Sequence, residues 1–459
     1  MRSLDAALIR APRGRLAALP RGVSVGGLVF AATLPIVFLH VDYQPSAALP
    51  LGATFKLSDG MVLLSALAAA AAAVRGGLPR LRPGRPVWVT GALLLAWIVA
   101  ATFYPLVSSR SYAWKTHLVT AGEFCEYALL APAVPLLLRR RADALLAAGT
   151  LLVWTVVATI VGLVQWLGWS GLGGWGRGLR QPSFLGTHDF AGLAGMTLGL
   201  GLVALLWGVR ERALRRCAWV AVVTGVVAFI LGGATAGVIG LVPAAVLAAA
   251  IAMRRHRPAD RRVLAAALAA TAIAAVGVVA LRAGDFDQFF RFLGAKQAQS
   301  TTTKNVQTYS QRTLLAYIGA RIWLHHPAFG VGWQGSSEPS VFLRELPAAH
   351  RRFPHVAQIS FPSAKNRYGV QLLYVQVLAD LGVVGGVLLV ALGGTGLLTG
   401  LRGALQAQPL PAFAVTVGLF WLVLALGLWS AQGLIAGLPL DALTWLAFGL
   451  VAVRQLDPA

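Results

Sequence analysis

The sequence predicts an all-α integral membrane protein of about 12 transmembrane helices, with one large extracytoplasmic loop that contains short helices. Three observations predict it. Of 459 residues, 57% are hydrophobic and 12% charged, with a mean hydropathy of +0.72, whereas about a quarter of a soluble chain is charged. Apolar runs of roughly 17 to 25 residues recur throughout, each long enough to cross a hydrocarbon core of about 30 Å as a helix. A single polar stretch, 282–370, interrupts them.

In chain order the expected spans are 23–40, 58–74, 87–104, 117–138, 143–167, 190–208, 217–232, 237–253, 263–281, 371–398, 411–430 and 434–453. They divide the chain into a membrane region 1–281, the loop 282–370 and a membrane region 371–459. The connectors 75–85, 139–141, 210–216 and 254–262 carry four, three, four and five arginines, all on the side shared with an arginine-rich N-terminal tail. Opposite connectors hold only Lys56, Arg110, Lys115, Arg177 and Arg180. The positive-inside rule then puts both termini in the cytoplasm of a multi-pass plasma or inner membrane protein and the long loop outside. The tail 1–21 reads as cytoplasmic, leading into a retained first helix.

The same rule absorbs most of the formal charge of +23, so no nucleic-acid partner is called for. Cys125 and Cys217 lie in or beside spans and suggest neither a disulfide framework nor a thiolate metal site. No cofactor or metal is expected. The adjacent His325 and His326 precede Pro327, which favours a turn over metal ligation.

Two outer segments combine arginine, glycine and aromatic residues. The first, 171–189, holds Arg177, Arg180, His188 and Asp189 and runs straight into a span. Its glycines allow unusual backbone angles and its arginines lie beside a helix N-terminus, which suits a phosphate seat as well as headgroup anchoring. The second begins at Tyr309-Ser310-Gln311-Arg312 and ends at Trp333. Positions 314, 317, 318, 322 and 324 share one face of a short helix stopped by Pro327, read as an amphipathic helix lying on the outer membrane face. The loop carries eleven basic residues against four acidic ones, which suits diphosphates, anionic glycans or anionic lipid. Stretches 300–304 and 336–340 read as mobile.

A serine and an arginine, then a helix of about fifteen residues, then His326-Pro327-Ala328-Phe329-Gly330-Val331-Gly332, resembles the central signature of the O-antigen ligase and O-antigen polymerase superfamily. Leu34-Pro35 with Tyr43-Gln44-Pro45 and Ser58-Asp59, the 180–189 segment, and Tyr374 to Gly385 follow in the family's order. The resemblance implies a GT-C-type membrane glycosyltransferase. Such enzymes move glycan from a polyprenyl-diphosphate carrier to a glycan or lipid acceptor hydroxyl at the outer face, without a nucleotide sugar. Polyprenyl-diphosphate-linked glycan, acceptor and membrane lipid are therefore the implied partners. Arg180 and Arg312 match the family's diphosphate contacts, and Arg321 is a further candidate. The physics agrees, because a departing diphosphate needs fixed positive charge.

One departure bears on catalysis. Where ligases of this family place an acceptor-activating histidine, about eleven residues before Gly382, this chain has Gln371. Glutamine hydrogen-bonds a hydroxyl but cannot take its proton. His188, Asp189, His355 and Asp380 are the candidate substitutes. His188 leads because it shares a segment with Arg180. Glu123 and Glu126, one turn apart in a span, suit sugar or acceptor binding, or pairing with a basic residue such as Arg110. His350 sits with Arg351 and Arg352 in a basic patch. A glycan transporter or flippase and a subunit without catalysis remain the rival readings.

Overall fold

The computed structural model describes residues 22–48, 54–108, 112–169, 179–255, 261–292, 308–354, 356, 358–433 and 438–457. The expected mobile stretch 300–304, Arg110, Arg177 and His355 lie outside these residues. The chain before the long loop forms α1 (Val25–Val37), α2 (Leu57–Ala72), α3 (Arg85–Phe103), α4 (Trp114–Ala128) and α5 (Leu130–Leu137). It continues with α6 (Arg141–Trp166), α7 (Thr187–Leu206), α8 (Arg212–Gly232), α9 (Thr235–Arg255) and α10 (Arg261–Leu281). The loop holds α11 (Ala283–Phe292), α12 (Thr308–His325), α13 (Pro339–Phe342) and α14 (Leu346–Arg352). The chain finishes with α15 (Leu373–Gln406), α16 (Pro409–Leu428) and α17 (Leu438–Leu450). A two-stranded antiparallel hairpin, Ser46–Ala48 with Thr54–Lys56, leads into α2.

This is an all-α membrane protein. Among the described residues, eight helical stretches are long and apolar enough to cross a membrane. One of them, Leu57–Leu106, contains both α2 and α3, while α1 and the Asp441–Leu450 part of α17 are apolar but shorter. The expected span 117–138 is divided between α4 and α5. Pro132, in the first turn of α5, explains the division, since it lacks the N–H that would bond back to Ala128.

The bundle is built around α7 and α16, both long helices buried on nearly every face. Small residues let their neighbours close in: a Cβ on Gly427 of α16 would lie 2.3 Å from the Cα of Gly240 on α9, so the two backbones meet. The Trp421 indole N–H donates to the Met196 carbonyl at 2.9 Å, tying α16 to α7. At the arginine-rich end, buried Asp143 accepts from the backbone N–H of Ser24 (2.7 Å) and of Arg140 (3.0 Å), joining the starts of α1 and α6.

The long loop has its own small core. Leu314, Ile318 and Ile322 of α12 pack with Val331, Phe342, Ala349, Phe361 and Ala379. Removing each such side chain from water stabilises by about 1.5–3 kcal/mol. Most of the apolar face of α12 is therefore covered by the loop and by α15, not laid on the membrane as its periodicity suggests, while Leu324 stays exposed. The reason is competition: the loop supplies enough apolar residues of its own to bury that face.

The signature 326–332 fits into a break in α15. Gly382 leaves helical geometry at φ 66°, ψ −166°, which frees backbone groups on either side of it. Residues 327–332 satisfy them. Val383 and Val384 donate to the carbonyls of Pro327 (2.8 Å) and Ala328 (3.3 Å), while Val331 and Gly332 donate to those of Ala379 (2.9 Å) and Asp380 (2.9 Å). Trp97 of α3 donates to the Leu381 carbonyl at 3.1 Å. The loop is thereby docked into α3 and α15 through main-chain bonds.

The stretch 336–340, expected to be mobile, is ordered at this joint. Ser336 N–H donates to Asp380 Oδ1 at 2.8 Å, and Glu338 bonds His117 Nε2 at 2.8 Å.

Candidate functional site

Three arginines from distant parts of the chain meet at the loop end of the bundle. Arg180 is placed by the segment before α7. Gln181 N–H donates to the Leu231 carbonyl at 2.7 Å, and Gly233, at φ 58°, leaves room where a Cβ would stand 2.9 Å from Arg180 Cβ. Ser183 pins the same segment to α6, exchanging hydrogen bonds with the Gln165 side chain at 2.8 and 2.9 Å. Arg282 follows the last turn of α10. It is buried, ion-paired with Asp285, and its guanidinium lies 5.5 Å from the Tyr309 ring centroid. Tyr309 is held in turn by Thr235, hydroxyl to hydroxyl at 2.8 Å, and by stacking on Phe286. Arg312, one turn further along α12, completes the group.

The three cations act on one another. Burial lowers the Arg180 guanidinium to about 10, assisted by the charges of Arg282 and Arg312. Burial likewise lowers Arg312 to about 10, with Tyr309 opposing and Arg282 adding to the fall. Positive charge held against its own repulsion and away from water is charge prepared for an anion.

Arg312 joins two of the sequence-derived candidates. Its Nη2 lies 3.2 Å from His188 Nε2, and its Nε lies 3.5 Å from Gln371 Oε1. A guanidinium has no acceptor, so His188 Nε2 accepts and the neutral ring carries its hydrogen on Nδ1. That Nδ1 is buried without a partner. In this arrangement His188 presents a donor, not a base. Gln371 uses its carbonyl toward Arg312 and keeps its amide hydrogens for a second group.

Other candidates are placed elsewhere. Arg321 Nε bonds Glu345 Oε2 at 2.7 Å, and His325 Nδ1 bonds Glu345 Oε1 at 2.8 Å, so both fasten α12 to the start of α14. Arg321 therefore stands apart from the other three arginines. Asp380 is committed to Ser336 N–H through Oδ1 and to the Gln376 amide (3.0 Å) through Oδ2, which makes it part of the loop joint. His350 stacks on Phe361 at 3.9 Å. Glu123 pairs with Lys56 at 3.2 Å, while Glu126 Oε1 is buried without a partner. Among the described residues no group of three or more His, Cys, Asp or Glu could hold a metal ion.

Sequence reasoning missed Arg282 as a member of the group. An arginine directly after an apolar run reads as a headgroup anchor, and only Tyr309, far along the chain, reveals otherwise. A cavity of about 630 Å³ walled by Phe30, Trp207, Phe413 and Trp421 is not part of this site. Trp207 lies at the opposite end of α7 from His188, about 30 Å away at 1.5 Å per residue.

None of the curated proteins compared matches the chain. Residues 220–390 match the family model described as O-Antigen ligase. That stretch contains Arg282, Arg312, the docked signature, Gln371 and the Gly382 break, while Arg180 and His188 precede it. This match to the O-antigen ligase domain supports an O-antigen ligase/polymerase-type family for the chain.

Proposed function

We propose that this protein transfers or polymerises glycan from a polyprenyl-diphosphate carrier onto an acceptor hydroxyl at the outer face of the membrane. The observation that carries the reading is the meeting of Arg180, Arg282 and Arg312 at one end of the bundle. In the reaction the acceptor oxygen bonds to C1 of the carrier-linked sugar as the bond from C1 to the phosphate oxygen breaks. The electron pair leaves with the diphosphate, the acceptor hydroxyl's proton is released to water, and buried guanidiniums stabilise the leaving charge far better than water-exposed ones do. The Nδ1–H of His188 and the start of α7 add donors on the same side.

Acceptor handling falls to Gln371. Its free amide hydrogens orient a hydroxyl oxygen, and the loop above it forms the acceptor side of the site. The arginine-rich connectors at the other end of the bundle support a cytoplasmic assignment for that end, which leaves the arginine group facing outward.

The test is a defined reaction. Purified protein in nanodiscs, given carrier-linked glycan and an acceptor, forms a new glycosidic bond seen by mass spectrometry. Arg180→Ala and Arg312→Ala remove product while the protein still inserts and elutes as the wild type does. Product formation that survives both changes refutes the reading.

A further inference from the structure

A second polar group lies next to the arginines and has no part in the scheme above. Asp59 comes from the first turn of α2, Glu123, Glu126 and Tyr127 from α4, Asp189 from the first turn of α7 and Asp441 from α17. These helices are in contact: α17 packs on α4 and α7, and α2 packs on α4. Their side chains share one electrostatic neighbourhood. Asp441 feels Asp189 and Glu123, Tyr127 feels Asp59, Glu126 and Asp441, and Glu126 feels Asp59 and Glu123.

Two of the group have partners. Glu123 bonds Lys56, and Asp59 Oδ2 accepts from the Lys56 backbone N–H at 2.8 Å as a helix cap. Four atoms do not: Glu126 Oε1, Tyr127 Oη, Asp189 Oδ1 and Asp441 Oδ1 are buried without a hydrogen bond. Tyr127 approaches Ser58 without completing one. Asp441 is only 4% exposed and Tyr127 0%. A buried polar atom left unpaired is costly, so a group of four on three helices points to an occupant that supplies donors.

The occupant's chemistry follows from the spacing. Among the described residues no three acids converge closely enough to ligate a metal. Single acceptors set on different helices suit several donors carried around one rigid ring. Hydroxyls and amides of a sugar are such donors.

We propose that this group binds the sugar ring bonded directly to the carrier diphosphate. Asp189 follows His188, whose Nε2 touches Arg312 at 3.2 Å, so the acidic group starts one residue from the diphosphate seat. A ring attached to that diphosphate through C1 falls between the two. Glu126, Tyr127, Asp189 and Asp441 then accept from its hydroxyls, and the arginines hold the phosphates. The inference rests on the carrier reading given above.

The test separates the two. Full-length protein in nanodiscs is titrated with polyprenyl diphosphate and with the same carrier bearing one N-acetylhexosamine. The wild type binds the sugar-bearing probe about tenfold more tightly, the size of one or two charge-assisted hydrogen bonds. Glu126→Gln with Asp441→Asn erases that difference and leaves sugar-free carrier binding unchanged, which also shows that the variant is folded. Equal wild-type affinities for the two probes, or a difference that survives in the double variant, overturns the sugar assignment while the carrier reading stands. Wild type that binds neither probe overturns the carrier reading and this inference with it.

Discussion

Gly382 and Ala328 occupy each other's space. A Cβ at Gly382 would lie 2.2 Å from the Ala328 carbonyl oxygen, and the glycine already sits at φ 66°. Gly382→Ala therefore meets a backbone clash and a left-handed conformation that costs about 1–2 kcal/mol on its own. The expected result is a clear drop in thermal midpoint in detergent and weaker carrier binding, since the signature loop must leave the α15 break. Gly394→Ala, in the same helix with open space at its Cβ, leaves both unchanged. Matching midpoints for the two variants would contradict the joint.

Arg282 and Arg321 both belong to the loop, yet they predict opposite outcomes. Arg282→Ala removes one cation of the group and lowers carrier affinity tenfold or more, as expected for loss of a charged hydrogen bond of about 1.5–3 kcal/mol. Arg321→Ala breaks the bond to Glu345 and changes carrier affinity less than about twofold, because that bond fastens α12 to the start of α14 and not to the arginine group. Titration calorimetry with polyprenyl diphosphate ranks the two, and a larger loss for Arg321→Ala would reverse the assignment.

Burial brings Arg180 and Arg312 down to about 10, and the sign of the consequence is fixed. Both are protonated at neutral pH, and each loses its charge as pH rises through about 10. A bound diphosphate favours the protonated form, so carrier affinity is flat from pH 7 to about 9 and falls above about 10. Arginines left in water would hold affinity level across that range. A binding curve without this fall would mean that burial does not bring the two guanidiniums down to about 10.

His117, beside Glu338, holds that carboxyl below its ordinary value. A depressed carboxylate stabilises the fold above its unfolded value, and the contribution is lost as pH falls through the folded one. The loop joint of the wild type should thus loosen in acid. Glu338→Gln starts from a lower midpoint at neutral pH and loses less on acidification. Hydrogen exchange of residues 331–342 at two pH values reads this directly, and equal acid sensitivity of the two proteins would argue against it.

Much of the scaffold was legible because lipid imposes a strong rule: helices must be apolar and long, and basic connectors gather on one side. Span boundaries were less so where proline intervenes, as at Pro132 in the first turn of α5. Arg180, His188, Arg312 and Gln371 could be singled out by chemistry and family order, but their meeting could not. It depends on α12 standing over α7 and α15, which no local pattern encodes. The periodicity of α12 was read correctly as amphipathic and its covering surface incorrectly, since a helix does not name the partner of its apolar face. Asp380 misled for the opposite reason: a buried acid near a signature invites a catalytic role, and here both oxygens serve backbone and amide donors.

The break in α15 also works as a datum. Trp333 and Gln371 are fixed on either side of residues 334–370, the first by the Ala101 carbonyl at 3.1 Å and the second by Arg312. Between them, positions outside the α12 core (Phe342, Ala349, Phe361), the Glu345 bonds and the Ser336–Glu338 joint can change in charge without moving Arg312. On the proposed reading, the chain thereby separates the gauge that holds the donor from the exposed positions that would face an acceptor, and those positions are free to drift while the gauge stays calibrated.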